Sequence, residues 1–162
     1  MAETYVAPNG NAIRFLPRCG SHSIASACLR EFHPDLYAQW QQDSTTHPAQ
    51  FLPSPPAGDY PTAIVVRDPL ERLRSFCAHR KSTPDEQIAK PAYRQYPAAS
   101  AFTRVFKMEA GLGGIAAWLG LSGNVENLDE SPLETKPVLT PKQRASARAK
   151  FSADQAIWEG AT

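Results

Sequence analysis

The chain has 162 residues, 42% of them hydrophobic and 20% charged, with a formal net charge of +1. That length fits one domain, residues 1 to 162, with a core of its own, and the balance is that of a globular rather than a disordered chain. The near-zero net charge argues against a broad nucleic-acid surface while leaving room for a local cationic pocket, and three cysteines without a CxxC pair argue against a disulfide framework or a zinc site.

Met1-Ala2-Glu3-Thr4 has neither a basic start nor an apolar stretch after it, so no signal peptide is expected. The most apolar later run, Gly111 to Gly120, is far short of the roughly 20 residues that span a bilayer. A cytoplasmic protein without a membrane span is the expectation. Tyr5 and Val6 precede the turn signal Asn9-Gly10 and read as a hairpin partner or edge strand for a short strand at Ala12 to Leu16. Ser21 is expected to cap a helix over about 22 to 32, where Ile24, Cys28, Leu29 and Phe32 recur at helical spacing. Pro34 is expected to mark its end, with His33 capping or packing there.

Residues 33 to 61 are polar and proline-rich, which predicts a long ordered loop with at most one short element. Thr62-Ala63-Ile64-Val65-Val66, apolar and rich in β-branched residues, predicts a central parallel strand. A helix is expected from about Pro69 to His79, with Leu70, Leu73, Phe76 and Cys77 on one face. Lys81 to Ala98 reads as a polar surface excursion, Ala101 to Leu119 as a helix interrupted near Gly111, Gly113 and Gly114, and Asn124 to Pro137 as loop. Tyr93, Tyr96, Phe102 and Phe106 in this middle region are assigned to packing rather than to a pocket. Thr140-Pro141-Lys142-Gln143 is a capping box that opens a final helix toward Trp158. This order of elements predicts an α/β architecture around a small parallel sheet.

Two stretches carry chemistry. Pro17-Arg18-Cys19-Gly20-Ser21-His22-Ser23-Ile24 joins a predicted strand to a predicted helix, where free backbone N–H groups and the helix dipole favour an anion. Gly20 allows close approach, Ser21 and Ser23 supply hydroxyls, and Arg18 adds a fixed positive charge. The stretch lacks the GxxxxGK[ST] pattern of a triphosphate loop, and no acidic strand end stands in a magnesium position, which weighs against a kinase-like enzyme. The second stretch runs from Val65 to Phe76. Arg67 leaves the end of the predicted central strand, where open α/β sheets place ligands, and Ser75 lies about two turns into the following helix. Read alone, Arg67 and Asp68 cap that helix while Arg72 and Arg74 are solvated.

Read together, PRCGSHSI and VVRDPLERLRSF resemble the sulfotransferases that use 3'-phosphoadenosine 5'-phosphosulfate (PAPS). That family carries P-K-x-G-[ST]-[ST]-[ST] on a first strand-loop-helix and V-R-[DN]-P-x-x-R/D-x-x-S on a later one. The resemblance implies a three-layer P-loop-like α/β fold with a small central parallel sheet flanked by helices. It implies that Arg18, Cys19, Gly20, Ser21, His22 and Ser23 grip the 5'-phosphosulfate, and that Arg67 and Ser75 grip the 3'-phosphate. PAPS is then the sulfuryl donor and PAP the product. Thr46-His47-Pro48-Ala49-Gln50-Phe51-Leu52-Pro53 is similar to the family's T-H-x-P-x-x-L-x-P stretch, shortened by one residue. It makes His47 the implied general base, with His22 second and Arg18 stabilising charge on the leaving phosphate; no metal is implied.

The tail, from Leu139 to Gln143 and Phe151 to Asp154, resembles the closing helices of carbohydrate-type relatives, so the implied partner is a small-molecule or carbohydrate acceptor with a hydroxyl or amine. Arg18 stands where the family has lysine, His22 where it has a hydroxyl residue, and the chain is shorter where acceptor pockets are built. A catalytically degenerate PAP- or nucleotide-binding or interaction module is the alternative that these departures favour.

Overall fold

A computed structural model describes residues 3–43, 45–93, 95–123, 125 and 135–162. Strand β1 (Thr4–Val6) turns back through Gly10, at φ 85°, and pairs antiparallel with β2 (Ala12–Arg14), Tyr5 facing Ile13. The expected hairpin is therefore present, although its second strand stops short of Leu16. Strand β3 (Thr62–Val66) runs parallel to β2, and β4 (Arg104–Lys107) runs parallel to β3, in the order β1-β2-β3-β4. The fold is α/β, and its sheet is mixed rather than wholly parallel because the hairpin supplies one antiparallel edge.

Seven α-helices are seen among the described residues: α1 (Ser21–Phe32), α2 (Pro34–Gln42), α3 (Pro69–Arg80), α4 (Pro84–Ala89), α5 (Gly113–Leu119), α6 (Pro141–Lys150) and α7 (Ser152–Gly160). None is long and apolar enough to cross a membrane. β3 explains how they are arranged. Ala63 and Val65 join a core with residues of α1, α2 and α5, whereas Ile64 and Val66 join another with Tyr96, Phe102 and the α7 residues Ile157 and Trp158. Alternation along a strand sends neighbours to opposite faces, so both faces of the sheet are covered.

Four expectations are corrected. The proline-rich stretch holds two elements rather than at most one, α2 and a 3-10 turn at Pro48–Gln50, because Pro34 takes the first position of a new helix and Trp40 buries against the core with Leu36 and Tyr37 packed beside it. His33 sits between α1 and α2, as expected of it. Residues 104–107, read as helix, form β4; their pairing with β3 overrides local periodicity, and the helix starts only after Gly111 and Leu112. The Lys81–Ala98 excursion contains α4, opened by a Thr83–Glu86 capping box, and buries Tyr93 and Tyr96. The final helix opens on the expected Thr140–Gln143 box but breaks at Phe151 into α6 and α7. Most of the expected loop at 124–137 lies outside the described residues.

Candidate functional site

The loop between β2 and α1 is shaped by two left-handed residues, Arg18 at φ 61° and Gly20 at φ 77°. Such a conformation costs an L-residue with a Cβ about 1–2 kcal/mol, so Arg18 is held there by its surroundings. A Cβ at Gly20 would also lie 3.3 Å from Leu112 Cδ2. Gly20 rather than Ser21 is the N-cap of α1, and no side chain caps it. The sharp turn at Gly20 draws Ser21 into the first helical turn, and its hydroxyl, 3.4 Å from His47 Nε2, is left for other work.

Pro17, Arg18, Gly20, Ser21, His22, His47 and Arg67 line one cleft of about 190 Å³. No carboxylate stands among its described lining residues. The two motifs therefore converge from 17–23 and 67–75, and the 46–53 stretch brings His47 to the same place. Arg18 crosses to α3, donating from Nε and Nη2 to the Ser75 hydroxyl at 3.1 and 2.9 Å. Ser75 is fully buried and touches the cleft through Arg18 rather than lining it.

Arg67 is the cation with the clearest electrostatic demand. It is 7% exposed, it lines the cleft, and its guanidinium has no hydrogen bond or ion pair among the described residues. A buried charge without a counter-ion costs several kcal/mol, about the scale of the effective desolvation penalty per ion. The expectation that Asp68 caps α3 holds, since its Oδ1 accepts from the N–H groups of Leu70 and Glu71. Arg72 is not solvated as expected but 1% exposed, because it points inward beneath the loop and donates from Nε to the Pro17 carbonyl.

His47 begins a 3-10 turn at Pro48–Gln50, and its Nδ1 accepts the Ala49 N–H at 3.2 Å. That bond assigns the neutral ring's proton to Nε2, so the ring donates toward Ser21. His22 lies beside it, ring centroids 5.4 Å apart, with Trp40 edge-on at 5.7 Å. Among the described residues, the buried His22 Nδ1 has no hydrogen-bond partner.

Besides Ser75, two more sequence candidates stay out of the cleft lining. Cys19 turns its thiol inward to 3.6 Å from the Tyr96 hydroxyl, where burial pushes its pKa up, and Ser23 is buried within α1. Four lining residues were missed: Phe76, His79 and Arg80 from α3, and Met108. The signal for His79 was present, since it stands four residues after Ser75 and shares its helix face. Comparison of the chain with protein-family models, with curated proteins and with solved structures gives no match.

Proposed function

We propose that the cleft binds the phosphate groups of a nucleotide of the PAPS and PAP class, and that the protein is a PAPS-dependent sulfotransferase on a P-loop-like version of the α/β fold. The observation that carries this reading is the buried guanidinium of Arg67, without a counter-ion among the described residues and facing the cleft shared by Arg18 and the α1 N-terminus. A bound phosphate supplies the missing charge, and guanidinium matches phosphate oxygens two at a time. The three buried free thiols suit a reducing compartment such as the cytoplasm.

PAPS supplies a sulfuryl group that passes in line to a hydroxyl or amine of a small-molecule or carbohydrate acceptor, leaving PAP. Arg67 holds the 3'-phosphate. Arg18, oriented by Ser75, neutralises charge on the phosphosulfate side, where preorganised cations and N–H donors act with little reorganisation. The N–H groups after Gly20 and the Ser21 hydroxyl hold oxygens at the α1 N-terminus. The imidazole pair His47 and His22 handles the acceptor's proton, a role suited to histidine near neutral pH.

One observation favours a second reading, a PAP-binding module without catalysis. With Ala49 N–H on Nδ1, His47 faces the cleft as a donor, and a base must accept there. A thermal-shift screen with PAP, ATP–Mg and buffer tests the binding claim, since a ligand of the native state raises apparent stability. PAP is expected to stabilise and ATP–Mg is not. Transfer of labelled sulfate from PAPS separates enzyme from module.

A further inference from the structure

Arg67 follows the last ladder residue of β3, where Val66 faces Lys107. Its own N–H and C=O therefore have no strand partner, yet buried backbone polar groups need one. A single atom serves both: the Tyr96 hydroxyl accepts from the Arg67 N–H at 2.9 Å and donates to the Arg67 carbonyl at 2.6 Å. Burial drives the Tyr96 phenol far above its usual range, so it keeps the proton it donates.

We propose that Tyr96 is the positioning residue of the cleft, fixing the strand end from which Arg67 reaches the anion, and that Arg72 and Asp154 hold Tyr96 in place. The proposal rests on the anion reading of Arg67, not on which anion is bound. Asp154 Oδ1 accepts the Tyr96 N–H at 2.9 Å. The Arg72 guanidinium lies over the Tyr96 ring at 4.4 Å and the Tyr93 ring at 4.6 Å. The same arginine reaches the other cationic segment, donating from Nε to the Pro17 carbonyl at 3.2 Å. Its Nη1 is 3.9 Å from Asp154 Oδ2, too long for a hydrogen bond. Arg72 and Asp154 are each 1% exposed. Buried ion pairs add little net stability over apolar residues of equal volume, so geometric control is the better account of this one. One buried unit thus fastens both the loop before Arg18 and the backbone of Arg67.

The test is a double-variant cycle. Wild type, Tyr96→Phe, Arg67→Ala and the double variant are titrated calorimetrically with PAP and separately with inorganic phosphate. Phenylalanine keeps the ring under Arg72 and removes the hydroxyl, and with it the two Arg67 backbone contacts and the 3.6 Å contact to the Cys19 thiol. Tyr96→Phe is expected to weaken both probes roughly five- to tenfold, the scale of one or two hydrogen bonds, and to add nothing once Arg67 is alanine. Unchanged affinity in Tyr96→Phe, or a further full loss in the double variant as a loosened fold would give, overturns the positioning role.

Should Tyr96→Phe not fold, Asp154→Asn and Asp154→Ala carry the test. Asparagine retains an acceptor for the Tyr96 N–H and is expected to bind near wild type, while alanine shows the loss. Equal affinity in the two overturns the proposal. A wild type that binds phosphate through Arg67 but not PAP overturns the cofactor reading and leaves Tyr96's role standing. A wild type that binds neither overturns both.

Discussion

The Arg18 guanidinium and the Ser75 hydroxyl meet from positions 57 residues apart, with Nε and Nη2 both donating to Oγ. This contact ties the loop before α1 to α3 and points a left-handed residue at a fixed place. Ser75→Ala removes the acceptor with almost no change in volume. It is expected to leave the fold intact, at a stability cost near 1 kcal/mol, and to weaken PAP binding roughly tenfold. Calorimetry on Ser75→Ala, Arg18→Ala and the pair should show coupling between the two sites. Additive losses would show that Ser75 does not orient Arg18.

His47 approaches Ser21 from a different segment of the cleft wall. In the enzyme reading, His47→Ala lowers turnover by about 100-fold or more, as loss of a general acid or base does. PAP affinity stays close to wild type. Single-turnover sulfate transfer measures the first and calorimetry the second. A near-normal rate would assign the proton to His22, whose ring is the neighbour of His47.

What the sequence discloses here follows from how local each signal is. β3 and α3 were legible because a β-branched run and an Asp-Pro cap declare themselves within a few residues. Arg18, Arg67 and His47 were legible as a group because motif order and spacing survive without any contact being known. β4 was not legible: Arg104 to Lys107 is short, and only its register against Ala63 to Val66 makes it a strand. α2 was hidden by the prolines around it. Tyr96 was legible as a packing residue, but nothing local pointed to its contacts with Arg67 and Asp154, since it lies in a polar stretch and Asp154 in a surface-like helix, and only tertiary packing brings them together. Arg72 looked like a surface charge for the same reason.

Gly20 tests the loop independently of any ligand. Gly20→Ala places a Cβ on a residue at φ 77° and against Leu112. A destabilisation of about 1–2 kcal/mol is expected from the left-handed conformation alone. Denaturant unfolding measures it. A neutral or stabilising effect would mean that the turn does not need this conformation.

His33 gives a pH dependence with a definite sign. Burial lowers its pKa below the ordinary 6.5, and its Nε2 is 3.0 Å from the Tyr5 hydroxyl. The unfolded chain then binds more protons in the acid window. Its contribution to stability is complete above the unfolded value and is lost as pH falls from there toward the folded value. Denaturant midpoints taken from about pH 7.5 to about pH 5.5 should fall more steeply in wild type than in His33→Gln. Equal slopes would remove His33 from the account.

The central claim is that the buried Arg67 guanidinium awaits the 3'-phosphate of a nucleotide. Calorimetric titration of wild type and Arg67→Ala with PAP and with 5'-AMP, which lacks that phosphate, tests it most directly. The account predicts that wild type prefers PAP over AMP by at least about tenfold, the scale of one charge-assisted contact, and that Arg67→Ala abolishes the preference while AMP affinity changes little. Equal affinity of wild type for the two nucleotides, or a preference that persists in Arg67→Ala, would contradict it.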